Sequence, residues 1–344
     1  MHVSLIVPAP FDLVSGGYGY DRRIVSEMRA AGHQVDVLEL TGQFPLPDEK
    51  ARESAHAIWA GLATDTTPVI DGLALPAFRG FDDMLTARGA VGLIHHPVSM
   101  ETGIPAAEQT MLDAAERHLF RCMRRLIVTS GTTAETLTSH FQCPADTVRR
   151  VVPGTDDAPR CAGSAGTVCE ILSIGTLIPR KGHDLLLHAL ARLFDLNWHL
   201  TIVGSPDRDP TYARTLLALT AELNIQERVR FAGELVDAPL DALWRGADIF
   251  ALATRYEGYG MVIAEALKHG LPVVVTNGGA AGQLLTPDSG CLCPVDDRDQ
   301  VSKSLRRLIF DKYLRLAMAE AAWQVGQQLP SWHTQAALFA DALI

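Results

Sequence analysis

The chain has 344 residues, of which 47% are hydrophobic, 20% charged and 6% aromatic, and it carries a formal net charge of −10. At about 100–200 residues per domain this length predicts two domains, and the composition excludes a disordered, collagenous or coiled-coil chain. The acidic balance, 30 Lys+Arg against 40 Asp+Glu, argues against a nucleic-acid partner, which requires a basic footprint, and weakens the case for tight docking on anionic membranes. The apolar start at residues 3–7 lacks a preceding basic region and is interrupted by Pro8 and Pro10. It therefore reads as neither a secretory signal nor a spanning helix, and no later run approaches about 18 apolar residues. The six cysteines form no CxxC pair and are expected to be reduced and buried, so a cytoplasmic location is expected.

Short apolar runs alternate with amphipathic segments along the chain. Strands are predicted at 3–8, 35–40, 69–70, 91–95, 126–129 and 148–152, then at 171–174, 200–203, 229–232, 249–253 and 273–276. Most lie a helix length apart and are apolar at consecutive positions, which predicts right-handed βαβ crossovers and parallel sheets covered on both faces. In the first helix Ile24, Met28 and Ala31 share a face and Gly32 ends it; after residue 203, Leu216, Leu219 and Leu223 form a core-facing stripe. The Gly/Pro/Ser-rich stretch 153–166 is the predicted linker. The expected fold is α/β, with two doubly wound parallel-sheet domains, 1–158 and 159–325, facing a central cleft, and a final helix in 326–344 crossing back to the first.

Three glycine turns sit where strands feed helices: Gly16-Gly17 with Gly19, the segment Gly175-Thr176-Leu177-Ile178-Pro179-Arg180-Lys181-Gly182, and Gly258-Tyr259-Gly260 before Met261. Small residues and free N–H groups at helix starts suit phosphate, yet none matches GxGxxG or the P-loop pattern, which argues against NAD or P-loop chemistry. Arg180 and Lys181 combine forked donors with a point charge, a pair suited to a diphosphate or equally to a solvated turn. Glu257, in a turn, and Glu265, on the following helix, are acceptor-only carboxylates suited to hydroxyl-rich ligands such as a sugar and a ribose. On spacing alone they serve equally as a helix-face and a dipole charge. The adjacent acidic pairs Asp82-Asp83, Asp156-Asp157 and Asp296-Asp297 read as solvated turns, so no metal is expected.

Residues 253–279, ATRYEGYGMVIAEALKHGLPVVVTNGG, resemble the E-x7-E signature of retaining GT-B glycosyltransferases of family 4, the glycosyl transferases group 1. The upstream SIGTLIPRKGHD, VRFAG and Pro153-Gly154-Thr155-Asp156 extend the resemblance, and Gly16-Gly17 and His95-His96-Pro97 fit the family's amino-terminal domain. The resemblance implies two Rossmann-like domains and transfer of a hexose from a nucleoside-diphosphate sugar, with UDP favoured over GDP, to a hydroxyl of a small molecule, saccharide or lipid. It implies that Glu265 holds the ribose and that Glu257, with the N–H groups of Gly258, Tyr259, Gly260 and Met261, reads the sugar. Arg180 and Lys181 then clamp the diphosphate, Gly16 and Gly17 close on the phosphates, and His95 lies beside the transferred sugar, with Glu101-Thr102-Gly103 facing the acceptor. Gly175, Thr176 and Gly204 complete the expected donor site. Thr176 stands where many members carry Arg, so Arg180 is expected to supply that charge. The implied chemistry is a metal-independent front-face displacement with no cofactor beyond the donor. The alternatives are an epimerase-like enzyme of the same fold and a non-catalytic sugar-nucleotide-binding module. Residues 1–150 hold 13 Lys+Arg and 18 Asp+Glu, which favours a soluble acceptor over a lipid. A local cationic patch, and with it peripheral membrane contact, is left to Arg117, Arg121, Arg124 and Arg125.

Overall fold

The structure, a computed structural model, describes residues 1–101 and 103–344. Residues 1–154 with 330–344 form one compact unit and residues 155–329 a second.

In the first unit β1 (His2–Pro8), β2 (Gln34–Leu40), β3 (Thr67–Asp71), β4 (Val91–Ile94), β5 (Arg125–Val128) and β6 (Val148–Arg150) form one sheet in the order β2-β1-β3-β4-β5-β6. Every pairing is parallel, with Val3 opposite both Val35 and Thr67. Around it lie α1 (Gly16–Ala30), α2 (Glu49–Gly61), α3 (Asp82–Ala87), α4 (Ala106–Cys122) and α5 (Gly131–Ser139). Strand burial is continuous rather than alternating, six of the seven β1 residues being buried, as a sheet covered on both faces requires. Ile6, Ile70, Phe78, Phe81 and Leu126 anchor this core. In α1 the expected Ile24 and Met28 are buried, but Ala31 is exposed because it caps the helix ahead of Gly32.

The second unit repeats the plan with β7 (Cys169–Ile174), β8 (Trp198–Val203), β9 (Val229–Phe231), β10 (Ile249–Leu252), β11 (Val273–Thr276) and β12 (Gly290–Cys293), in the order β12-β11-β10-β7-β8-β9. Its helices are α6 (His183–Ala191), α7 (Pro210–Glu222), α8 (Asp237–Gly246), α9 (Met261–Lys268), α10 (Arg298–Phe310) and α11 (Lys312–Gln327). Strand β12 was not among the expected strands: its four residues, Gly-Cys-Leu-Cys, are too short and mixed to announce themselves, yet Cys291 and Leu292 pair with Val274 and Val275. All six cysteines are free thiols, three buried and three half-buried.

The last helix, α12 (Trp332–Ala342), belongs to the first unit and packs on α1. Trp332 meets Tyr20 edge-on at 5.8 Å between ring centroids, and the Arg23 guanidinium lies 5.5 Å from the Trp332 ring centre. Gly154 has no room for a side chain beside it, since a Cβ there would lie 2.4 Å from the Trp332 backbone. Among the described residues no helix is long and apolar enough to cross a membrane.

In each sheet the strand order reverses once, between β1 and β3 and between β7 and β10. Successive crossovers leave opposite sides of the sheet at such a point, opening a crevice at the carboxyl ends of the two strands. The glycine turns lie at these crevices. At Gly182 the backbone is left-handed, φ +64°, and a Cβ would sit 1.9 Å from the Ala253 carbonyl oxygen. Gly182→Ala is expected to destabilise the protein by more than about 2 kcal/mol, because strain and overlap coincide; urea unfolding measures it.

Candidate active site

The crevice of the second unit is built from two turns, one after β7 and one after β10. Gly175 ends β7, its N–H donating to the Val203 carbonyl at 2.8 Å. A Cβ at Gly175 would meet the Lys181 Cδ at 3.1 Å, so the missing side chain leaves the passage along which the Lys181 stem runs. Gly204 is packed for the same kind of reason, its absent Cβ falling 2.0 Å from the Gly175 carbonyl oxygen.

Lys181 Nζ donates to Glu257 Oε1 at 2.6 Å, and the Thr254 hydroxyl donates to the same oxygen at 3.1 Å. Glu257 is buried and Lys181 half-buried, with side-chain exposures of 8% and 13%. Burial opposes the carboxylate charge, but Lys181 and Arg180 overcome it and hold Glu257 below the usual carboxylate range. Arg180 lies across the same gap, its guanidinium donating to the Tyr256 carbonyl at 2.8 Å. The basic pair and the first glutamate, expected to grip different parts of a ligand, are therefore already joined to each other across the strand-order reversal.

Two further residues fix this arrangement. Arg255 donates to both oxygens of Asp184 at 3.1 and 2.9 Å and to Asp296 at 2.9 Å, tying the β10 turn to α6 and to the start of α10. His183 is fully buried; loss of hydration pushes it down to about 4, so it stays neutral, with Nε2 3.0 Å from the Gly175 carbonyl oxygen. Neither was expected in a role. The forked geometry of Arg and the tight Gly-His-Asp step at 182–184 are their only signals. The pair Gly278-Gly279 closes the far side, where a Cβ on either would lie within 2.5 Å of a backbone oxygen of Arg255 or Glu257.

Gly258 and Tyr259 are half-buried in the turn, and Gly260, at φ +98°, brings the chain into α9 at Met261. Met261 and Val262 thus begin a helix whose first N–H groups face no earlier helical turn. Glu265, one turn on, is half-buried, and burial, then Asp156, push its carboxyl up to about 7. Thr176 is half-buried in the β7 turn.

Four of the six aspartates expected in solvated turns also make contacts, although Asp157 stays 98% exposed. Asp297 caps α10 and Asp296 binds Arg255; Asp157 pairs with Lys268 at 2.9 Å; Asp82 opens α3 and accepts from His118 and Cys122. Most of these side chains have a donor supplied by a distant part of the chain, which spacing along the sequence does not reveal.

In the first unit His95 follows β4. Its Nε2 lies 3.0 Å from Asp21 Oδ1 and 3.5 Å from Asp71 Oδ2. Gly17, in the first turn of α1, lies against the ring: a Cβ there would meet His95 Cδ2 at 3.3 Å. Gly16 has open space around its Cα. Burial works against the imidazolium, but the two carboxylates outweigh it and raise His95 to about 10. Asp21, fully buried, is itself pushed up to about 6 because lost hydration exceeds the pull of His95, and its Oδ2 has no hydrogen-bond partner among the described residues. Asp21 and Asp71 were missed: the first sits in Tyr-Asp-Arg-Arg, which reads as a solvated helix face, and the second ends a strand longer than the expected 69–70. His96 contacts Glu101 at 2.9 Å; Thr102 lies outside the described residues.

Three of the four arginines near α4 make separate contacts, and Arg121 is exposed in the last turn of α4. Arg117 is engaged with Asp113 and the His140 carbonyl, Arg124 with the carbonyls of Leu343 and Ile344, and Arg125 with that of Asp146.

Residues 160–325 match the family model described as Glycosyl transferases group 1. The chain is 27% identical over 304 residues to an MMP alpha-(1->4)-mannosyltransferase of Mycolicibacterium hassiacum, covering 80% of this chain and 70% of that one. It is 28% identical over 204 residues to a D-inositol 3-phosphate glycosyltransferase of Corynebacterium efficiens, covering 54% and 48%. The chain spans about half the length of most of the curated relatives it matches. Among solved structures, sucrose-phosphate synthase from Thermosynechococcus elongatus superposes with a TM-score of 0.83 at 19% identity, covering 99% of this chain and 98% of that one. The Anabaena protein HepE, solved with UDP and glucose, gives 0.77 at 16% identity, covering 100% and 99%.

Proposed function

We propose, from the premise that this is a chain of GT-B fold whose second unit belongs to the glycosyl transferases group 1, that it transfers a hexose from a nucleoside-diphosphate sugar to an acceptor hydroxyl with retention of configuration. The observation that carries the reading is the Lys181–Glu257 pair at the β7/β10 crevice, 2.6 Å long and largely withdrawn from solvent. It sets cationic and anionic groups side by side where a diphosphate and a polyhydroxylated sugar would require them. Arg180 and Lys181 stabilise charge on the departing diphosphate, together with the N–H groups opening α9. Glu257 reads sugar hydroxyls and Glu265 the ribose, with UDP as the preferred nucleotide.

In this reaction the bond from the anomeric carbon to the diphosphate oxygen breaks. The acceptor oxygen bonds to that carbon on the same face, and its proton passes to the leaving diphosphate oxygen. The residues at the crevice supply electrostatic stabilisation and positioning rather than a covalent nucleophile, and no metal is assigned a part. In the first unit His95 contributes a fixed positive charge. The acceptor is a soluble small molecule or saccharide, a choice supported by the excess of Asp+Glu over Lys+Arg in residues 1–150.

Release of free nucleotide from a panel of UDP- and GDP-sugars, with and without candidate acceptors, tests the reading; donor binding without release under all conditions would favour a binding module. Glu265 adds a sharper check. Its carboxyl, raised to about 7 by burial and Asp156, accepts ribose hydroxyls best when ionised, so nucleotide affinity is expected to rise as pH increases through 7. Glu265→Ala is expected to weaken binding by at least tenfold, about 1.4 kcal/mol, and to abolish that pH dependence in calorimetric titrations. Stability responds in the opposite sense: a carboxyl whose folded value is raised is most favourable below its unfolded value, and that contribution is lost as pH rises through about 7.

A further inference from the structure

Away from both crevices, α3 and α4 carry a cluster that the glycosyltransferase reading does not use. His118 and Cys122 are four residues apart on α4 and so stand one above the other on the same face. Asp82, the first residue of α3, reaches toward both. Its Oδ1 lies 2.5 Å from His118 Nε2 and 3.4 Å from Cys122 Sγ. All three potential ligand atoms fall within 4.8 Å of one another. The backbone beneath is well anchored, since Phe81 is buried just before Asp82 and Leu119 and Phe120 are buried between the two α4 residues.

We propose that Asp82, His118 and Cys122 form a binding site for one divalent ion of the zinc class, with water as the fourth ligand. The donor set selects the metal: one thiolate, one imidazole and one carboxylate suit zinc or cobalt, whereas calcium and magnesium require oxygen alone. Charge supports the same choice, because thiolate and carboxylate together neutralise a dication while the imidazole stays neutral. Metal–ligand bonds of about 2.0–2.3 Å in a tetrahedron put sulfur and oxygen roughly 3.5 Å apart and nitrogen and oxygen roughly 3.3 Å apart. The Cys122–Asp82 spacing of 3.4 Å already meets the first requirement. The His118–Asp82 edge must open by about 1 Å, which a side chain 60% exposed can accommodate by rotation.

The thiol does not fit the alternative of a reactive nucleophile. Burial, followed by Asp82, pushes Cys122 up to about 11, so it remains protonated near neutrality. A bound dication reverses that balance and displaces the protons of Cys122 and His118. Asp83, exposed on the next position of α3, adds a further negative charge that attracts a cation.

The test is titration of the metal-stripped, reduced full chain with cobalt(II), followed by zinc(II). One equivalent of cobalt should bind with a thiolate-to-cobalt charge-transfer band and the strong visible absorption of a tetrahedral centre, and zinc should displace it. Saturating zinc should raise Tm by several degrees. Cys122→Ser should lose the charge-transfer band. Asp82→Asn and His118→Gln, at half-buried or exposed positions, should each weaken binding more than tenfold while leaving the circular dichroism unchanged. Cys291→Ser, in the second unit, should bind as the parent does. Absence of saturable one-to-one binding in the parent, or an unchanged cobalt spectrum in Cys122→Ser, would overturn the proposal, whatever the outcome for sugar transfer.

Discussion

Lys181→Ala is expected to lower both turnover and stability, and adding Glu257→Gln is expected to restore only the stability. Lys181 and Glu257 are each less than one-seventh exposed and meet at 2.6 Å. Removing the ammonium leaves a carboxylate that has lost most of its hydration and its nearest counter-charge, a defect of about 3–5 kcal/mol. Part of that loss is relieved by protonation, so the Glu257 carboxyl, now held below the usual range, rises toward neutrality in the variant. Replacing Glu257 by the isosteric amide removes the buried charge altogether, and urea unfolding at pH 7 should then return close to the parent curve.

Turnover behaves differently if Lys181 also stabilises the leaving diphosphate. A preorganised cation aimed at developing charge contributes about 10²–10³ in kcat, and the double variant regains none of it. Recovery of nucleotide release in Lys181→Ala/Glu257→Gln would show that Lys181 only neutralises its neighbour. The pH dependence has a definite sign. Because Glu257 is depressed in the folded protein, its contribution is present above its unfolded value and lost as pH falls through the folded one. The parent should therefore lose stability in acid that Glu257→Gln does not lose.

What the sequence reveals about this protein follows from how far each interaction reaches along the chain. The parallel strands are legible because burial on both faces forces runs such as Leu5-Ile6-Val7 and Val273-Val274-Val275. Strand β12 is not, since Gly290-Cys291-Leu292-Cys293 has no apolar run and is held by its neighbour β11. Position within the site is legible where a turn demands glycine, as at Gly182 and Gly260. Partnership is not: Lys181 and Glu257 are 76 residues apart, and Asp21 and His95 are 74 apart. Only the reversal of strand order brings such residues to one crevice, and strand order is a property of the whole sheet. Arg255 illustrates the limit, because it donates to the Pro179 carbonyl, Asp184 and Asp296, each more than 40 residues away in the chain. Asp21 is the harder case, because a buried carboxylate on a helix flanked by Tyr20 and Arg22 carries the pattern of a solvent-facing residue.

That buried carboxylate supports the second large effect: Asp21→Asn should make kcat, measured at saturating donor so that the Glu265 titration does not enter, fall with rising pH. His95 faces Asp21 from α1 and Asp71 from the end of β3, the Tyr20 ring lies edge-on at 5.3 Å, and the hydroxyls of Thr129 and Thr133 donate to its carbonyl. Arg22 adds a more distant positive charge acting on Asp21. With both carboxylates present, His95 holds its proton to about 10, so any step that uses the imidazolium is insensitive to pH between about 6 and 9. The amide introduced by Asp21→Asn keeps the shape but removes the nearer charge, while the burial that disfavours imidazolium remains. Asp71, 3.5 Å away, still favours the proton, but His95 then loses it well below about 10, and kcat at saturating donor should decline within the pH range where the parent holds steady. The stability contribution runs in the same direction: for a histidine raised on folding it is complete below its unfolded value and disappears as pH rises through about 10. In Asp21→Asn that loss should move to lower pH, measurable as Tm across the same range. A profile that stays flat while Tm shifts would separate the two roles, leaving the His95 charge as a structural tie between α1 and β3 with no part in turnover.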